Sequence, residues 1–146
     1  LRGDLKSDSA SVLPITEMLM KRPGLRFMRD PTRGGLATVA LDLARESELS
    51  INMEENAIPL SEPVQAVCEL LGYDPLYLAC EGRVVAVIAA EEAEDAVQEL
   101  RLSGVAPGAA VIGTIGEKKG AVTLTTSLGG QRLIDELEDD PLPRIC

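Results

Sequence analysis

The stretch Leu25-Arg26-Phe27-Met28-Arg29-Asp30-Pro31-Thr32-Arg33-Gly34-Gly35-Leu36-Ala37-Thr38-Val39-Ala40-Leu41-Asp42-Leu43 decides the fold class. A short apolar segment, Leu25 to Met28, leads into the turn Asp30 to Gly35, and Leu36, Val39, Ala40 and Leu43 then recur at the helical period. A Gly-rich turn therefore opens a helix. Toward the N-terminus, Val12, Ile15 and Leu19 stand at i, i+3 and i+7 with Met18 beside them, which predicts a helix from Ser9 to Arg22. Ser and Asp precede it as caps, Pro14 falls early and Pro23-Gly24 stops it.

Toward the C-terminus, Ile51 to Ile58 reads as extended and ends at Pro59. Ser61 offers a cap, and Pro63 enters the first turn of a helix through Val64, Val67, Cys68 and Leu71 to Gly72. Leu76 to Cys80 and Arg83 to Ala90 are short apolar runs broken by Glu81-Gly82, which predicts two strands buried on both faces. Glu91 to Leu102 is helical, with Ala93, Ala96, Val97 and Leu100 inward and Gly104 beyond the end. Ala110 to Gly116 and Ala121 to Thr126 predict a hairpin around Lys118-Lys119-Gly120, and Gly129-Gly130 makes a further break. Helices interleaved with strands imply an α+β fold, an α/β sandwich in which helices pack on a mixed β-sheet.

A chain of 146 residues with 45% hydrophobic content can bury one sizeable core, and at 2% aromatics that core is aliphatic. A net charge of −10 argues against nucleic acid and anionic membranes as partners, because both demand a basic footprint. Cys68, Cys80 and Cys146 have no paired spacing and the chain has no His, so zinc-finger and His-based catalytic sites are excluded and reduced, cytoplasmic thiols are expected. No apolar run is long enough to span a bilayer. The start at Leu1, rather than Met, suggests a boundary with a further domain before it.

Three features could carry chemistry. The turn Asp30 to Gly35 would present helix N-terminal amides to an anion, with the Arg33 guanidinium beside it, although Asp or Thr before a helix is more often merely the cap of a tight turn. Glu81, set between two apolar strands, would have its pKa raised by burial and could accept a proton, although Glu-Gly is also what a solvated hairpin tip looks like. Cys80 beside it reads as a small core residue. In the tail, the acidic run Asp135 to Asp140 gives way to Pro141-Leu142-Pro143-Arg144-Ile145-Cys146, a polyproline-like arm that at about 3.1 Å per residue reaches about 19 Å. It could equally be a frayed terminus with an accidental thiol. The α-carboxylate and the upstream acids disfavour thiolate at Cys146, which makes it a carried group rather than an attacking one.

Asp30-Pro31-Thr32-Arg33-Gly34-Gly35, Cys80-Glu81-Gly82 and the terminal Pro143-Arg144-Ile145-Cys146 together resemble the HypE family of hydrogenase maturation proteins. The likeness covers nearly the whole chain and is most specific at Pro-Arg-Ile-Cys. It implies kinship with the C-terminal domain of aminoimidazole ribonucleotide synthetase and with selenophosphate synthetase. Residues 1–138 would be that C-terminal domain, and 139–146 the extended tail carrying the modifiable cysteine. An N-terminal domain, absent from this chain, would bind most of the ATP and Mg²⁺ and form a homodimer.

In that family, the resemblance implies, the carbamoyltransferase HypF places a carboxamide on the terminal cysteine. An ATP-dependent dehydration then makes it a thiocyanate, and the cyano group passes through the HypC–HypD complex to the iron of [NiFe]-hydrogenase. Carried over residue by residue, Cys146 is the modified residue and Glu81 the base. Asp30, Pro31, Thr32, Arg33, Gly34 and Gly35 line the nucleotide side of the cleft, and no metal ligand falls on this chain. Two further readings stand beside it: a non-catalytic thiol carrier or docking domain, and another ATP-dependent synthetase of the same superfamily.

Overall fold

A computed structural model describes residues 7–118 and 120–137. Cys146, the Pro141 to Arg144 arm and the boundary expected at 138–139 lie outside the described residues, as does Lys119 of the expected turn.

Among the described residues four α-helices and six strands form an α+β fold: α1 (Leu13–Leu19), β1 (Leu25–Arg29), α2 (Gly35–Ser47), β2 (Leu49–Glu54), α3 (Glu62–Leu71), β3 (Val85–Ile88), α4 (Ala90–Leu102), β4 (Gly113–Lys118), β5 (Val122–Thr125) and β6 (Gln131–Leu133). The strands make two sheets, an antiparallel pair β1-β3 and a mixed four-stranded sheet ordered β4-β2-β5-β6.

Each sheet has its own apolar cluster. Ala37, Ala40 and Ala44 on one side of α2 meet Ile51 and Met53 of β2 and Val122 and Leu124 of β5. Small residues on the helix let its axis approach the sheet closely. The second cluster gathers Leu19 of α1 with Ala96 and Leu100 of α4, over Met28, Ala86 and Ile88 of the two-stranded sheet. Arg22 ties the same two helices through Asp95 at 2.9 Å and through Glu99. The neighbouring carboxylates hold the Arg22 guanidinium above its ordinary pKa, with burial opposing them.

The expected hairpin is corrected by the topology. β4 and β5 do not pair with each other; β2 lies between them, antiparallel to β4 and parallel to β5. The parallel register sets Ile51 opposite Val122 and Met53 opposite Leu124, so two inward alternations lie side by side under α2. A strand face buries its apolar residues only in that register. β4 has little to bury, with Gly113 and Gly116 and an Ile115 that is exposed, and it takes the edge.

The strand expected at Leu76 to Cys80 is also absent. Asp74 accepts the Leu76 N–H at 3.0 Å and Pro75 follows it, so Pro75–Tyr77 closes into a 3-10 turn that buries Leu76. An Asp-Pro pair starts turns in this way. β3, expected to be buried on both faces, is half-buried at every position. The first helix is shorter than the expected Ser9 to Arg22. It begins after Val12, with no side-chain cap. Ser61 does precede α3, but its hydroxyl makes no cap bond.

Candidate functional site

The structure brings together two of the segments singled out in the sequence. The carbonyl of Pro31 accepts the Cys80 N–H at 2.9 Å, which joins the Asp30 to Gly35 turn to the Cys80-Glu81-Gly82 loop. The turn closes on itself where Gly35 donates to the Thr32 carbonyl at 3.0 Å, and Gly34 and Gly35 both adopt left-handed backbone, φ 72° and 61°. Gly34, and neither Asp30 nor Thr32, occupies the N-cap of α2, without a side-chain bond.

The turn was expected to present its amides to an anion; the space around its two glycines is taken by protein. A Cβ on Gly35 would stand 2.5 Å from both the Leu76 and the Leu78 carbonyl oxygens, and one on Gly34 would collide with the Thr38 hydroxyl. Asp30 and Arg33 are exposed, while Pro31 is buried and Thr32 half-buried. The anion-binding capacity left to this turn rests on the Arg33 guanidinium.

Glu81 is exposed and lies in a bend, which fits the solvated Glu-Gly tip of the two sequence readings and not the buried carboxylate between two strands. Among the described residues no ion pair engages Glu81 or Arg33. Its own backbone N–H is held at 3.1 Å by the carboxylate of Asp8. Asp8 was read from the sequence only as a helix cap, because its partner lies far along the chain and no local pattern announces the contact.

Cys80 is half-buried, and its thiol sits 3.5 Å from the Leu78 carbonyl. Burial pushes that thiol's pKa up, the Asp8 and Glu81 carboxylates add to the shift and Arg83 opposes it. A thiol so placed is a poor nucleophile. Cys68 is buried and raised in the same direction, first by burial and then by Asp74 and Glu69.

An open cleft of about 1470 Å³ is lined by members of both apolar clusters, with Leu36, Val39 and Leu43 of α2 and Cys80 and Gly82 among its walls. Pro31 of the turn lines it as well, whereas Glu81 and Arg33 do not. Among the described residues no group of three or more Asp, Glu, Cys or His could hold a metal ion, so the acidic residues here do not fit a Mg²⁺ site. Among them, too, no helix is long and apolar enough to cross a membrane.

The chain is similar to known proteins over nearly its whole length. Over all but a few of its residues the chain is 43% identical to the carbamoyl dehydratase HypE of Azotobacter vinelandii, covering 99% of itself and 43% of that protein. The crystal structure of Escherichia coli HypE superposes with a TM-score of 0.92 at 38% identity, over 100% of this chain and 45% of that one. Two further HypE crystal structures match over 94% of the chain: one in complex with ATP, at 39% identity, TM-score 0.87 and 44% of its length, and one of a HypE–HypF complex, at 33% identity, TM-score 0.88 and 45% of its length. The chain thus spans less than half the length of the curated relatives it matches. Residues 7–125 match the family described as AIR synthase related protein, C-terminal domain, and the chain belongs to that family.

Proposed function

We propose that this chain is the cysteine-bearing part of an ATP-dependent carbamoyl dehydratase that serves hydrogenase maturation. The observation that carries the reading is the pairing of the Asp30 to Gly35 turn with the Cys80 to Gly82 loop through the Pro31 carbonyl, in a chain about 40% identical over its whole length to proteins of that name.

The substrate is the S-carboxamide carried on Cys146, which loses the elements of water to become S–C≡N. ATP, when bound, supplies the phosphoryl group that turns the carboxamide oxygen into a leaving group. The amide nitrogen gives up both its protons, the first as its oxygen takes the phosphoryl group and the second to Glu81 as the C–O bond breaks and phosphate leaves, and the exposure of Glu81 lets a tail that carries the carboxamide come to it. Arg33 offers its guanidinium to phosphate oxygens, and Asp30, Pro31, Thr32, Gly34 and Gly35 shape the turn that presents it. Most ATP contacts, and Mg²⁺, belong to an N-terminal domain outside this chain, which also makes the homodimer. HypF loads the carboxamide and the HypC–HypD complex receives the cyano group for the iron of [NiFe]-hydrogenase, all in the cytoplasm. The assignment of HypF leans on the HypE–HypF complex among the similar structures.

Glu81→Gln in the full-length protein is the direct test. It is expected to bind ATP and accept the carboxamide, and to stop there. Normal thiocyanate formation would remove Glu81 from the chemistry and leave the chain as a thiol carrier.

A further inference from the structure

The Cys80 to Gly82 loop has no regular secondary structure, so its shape depends on a few tethers. One side is held by the Cys80 N–H on the Pro31 carbonyl at 2.9 Å. On the other side the N-terminal segment crosses it. Asp8 Oδ2 accepts the Glu81 N–H at 3.1 Å, and a Cβ on Gly82 would collide with the Asp8 carbonyl oxygen and stand 3.2 Å from the Ala10 Cβ. Two independent features, a charged hydrogen bond and a close approach that excludes a side chain at position 82, thus set Asp8 against the same loop. The geometry points to Asp8 as a positioning residue for Glu81: by holding the Glu81 backbone N–H, its carboxylate fixes the direction in which the Glu81 side chain leaves the loop.

This inference rests on the reading of Glu81 as the base. A charge-assisted hydrogen bond to a backbone amide is stronger than a neutral one, which suits an anchor on a loop with few contacts. The Asp8 carboxylate also adds to the upward shift of the Cys80 thiol, an electrostatic sign of the same proximity. Proton transfer depends on heavy-atom distances of hydrogen-bond length, and a displacement of about 1 Å can cost about a hundredfold in rate. An anchor one residue's backbone away from the reacting carboxylate therefore acts on turnover more than on nucleotide affinity.

The test uses the full-length protein carrying S-carbamoylated cysteine, with ATP, and compares Asp8→Ala, Asp8→Asn, Gly82→Ala and Glu81→Gln. Asp8→Ala is expected to lower kcat about tenfold to a hundredfold with the KM for ATP unchanged. Asp8→Asn, which keeps an acceptor oxygen, is expected to recover most of that loss. The Asp8→Ala/Glu81→Gln double variant is expected to be no worse than Glu81→Gln alone. Amide hydrogen exchange gives a readout besides activity: the Glu81 N–H is expected to lose protection in Asp8→Ala while α2 keeps it. If Asp8→Ala does not fold, Gly82→Ala carries the test, because it pushes the same segment off the loop from the other partner. An inactive Glu81→Gln beside fully active Asp8→Ala and Gly82→Ala would overturn the positioning role and leave Glu81 as the base. An active Glu81→Gln would overturn both.

Discussion

Cys80 and Pro31 are joined by a single main-chain hydrogen bond of 2.9 Å, and through it two loops distant in sequence become one surface. Gly35 reinforces the junction, since its α-carbon lies flat against the carbonyls of Leu76 and Leu78. The Gly-rich turn is thus built to receive another protein segment, and its chemistry is left to the side chains at its edge.

Gly35→Ala is therefore expected to destabilise the chain by about 2–4 kcal/mol, combining a left-handed φ with overpacking against two fixed carbonyls. Gly72 also has a positive φ, 71°, but nothing stands within 4 Å of its missing Cβ. Gly72→Ala should cost only about 1 kcal/mol. Urea unfolding of the two variants would separate the effects; equal losses would mean that the contact with Leu76 and Leu78 contributes little.

Leu124, on β5 beside β2, is 1% exposed, whereas Leu128 is 97% exposed. Leu124→Ala should lose about 2–5 kcal/mol through the cavity it leaves, and Leu128→Ala should stay within about 0.5 kcal/mol of the parent. Thermal unfolding of both variants checks the assignment of the core. A large loss for Leu128→Ala would indicate that this leucine is covered.

Both described thiols have raised pKa values, so Cys68 and Cys80 should alkylate more slowly at pH 8 than an unfolded cysteine. Because burial holds their protons more tightly in the folded state, the stability they contribute is complete below the ordinary thiol pKa of 9.0 and falls as pH rises through the shifted values. Urea midpoints should accordingly fall between pH 8 and about pH 10, by less in Cys68→Ala than in the parent. Peptide-resolved iodoacetamide labelling would count against the burial if Cys80 reacted as fast in the native protein as in urea.

Glu48 ends α2 with a left-handed φ of 57°, a conformation that costs a side-chain-bearing residue about 1 kcal/mol. Glu48→Gly should stabilise the chain by roughly 0.5–1 kcal/mol, the entropy of the unfolded glycine offsetting part of the gain. A lowered melting temperature would show that the Glu48 side chain makes a contact worth more than the strain.

The helices were the most legible part of the fold. Ala96, Val97 and Leu100 of α4 are buried as their period requires, and Gly104 follows with φ 73°. Strand pairing was not legible, because β2 and β5 choose each other through inward residues that lie far apart in sequence, while the short span between β4 and β5 imitates a hairpin. The run Leu76 to Cys80 was misread for a local reason: apolarity outweighed the Asp74-Pro75 turn signal before it. At the candidate site, residue type and resemblance single out the motif residues, but the exposure of Glu81 and the contact of Asp8 with it depend on how the loop and the N-terminal segment cross.

The measurement that most directly tests the account is the intact mass of the full-length protein after incubation with HypF, carbamoyl phosphate and ATP, with Cys146→Ala as control. The account predicts a carboxamide added to the parent protein that then loses one water, an adduct absent from Cys146→Ala, and arrest at the carboxamide in Glu81→Gln. An unchanged mass in the parent, or an equal adduct in Cys146→Ala, would contradict it.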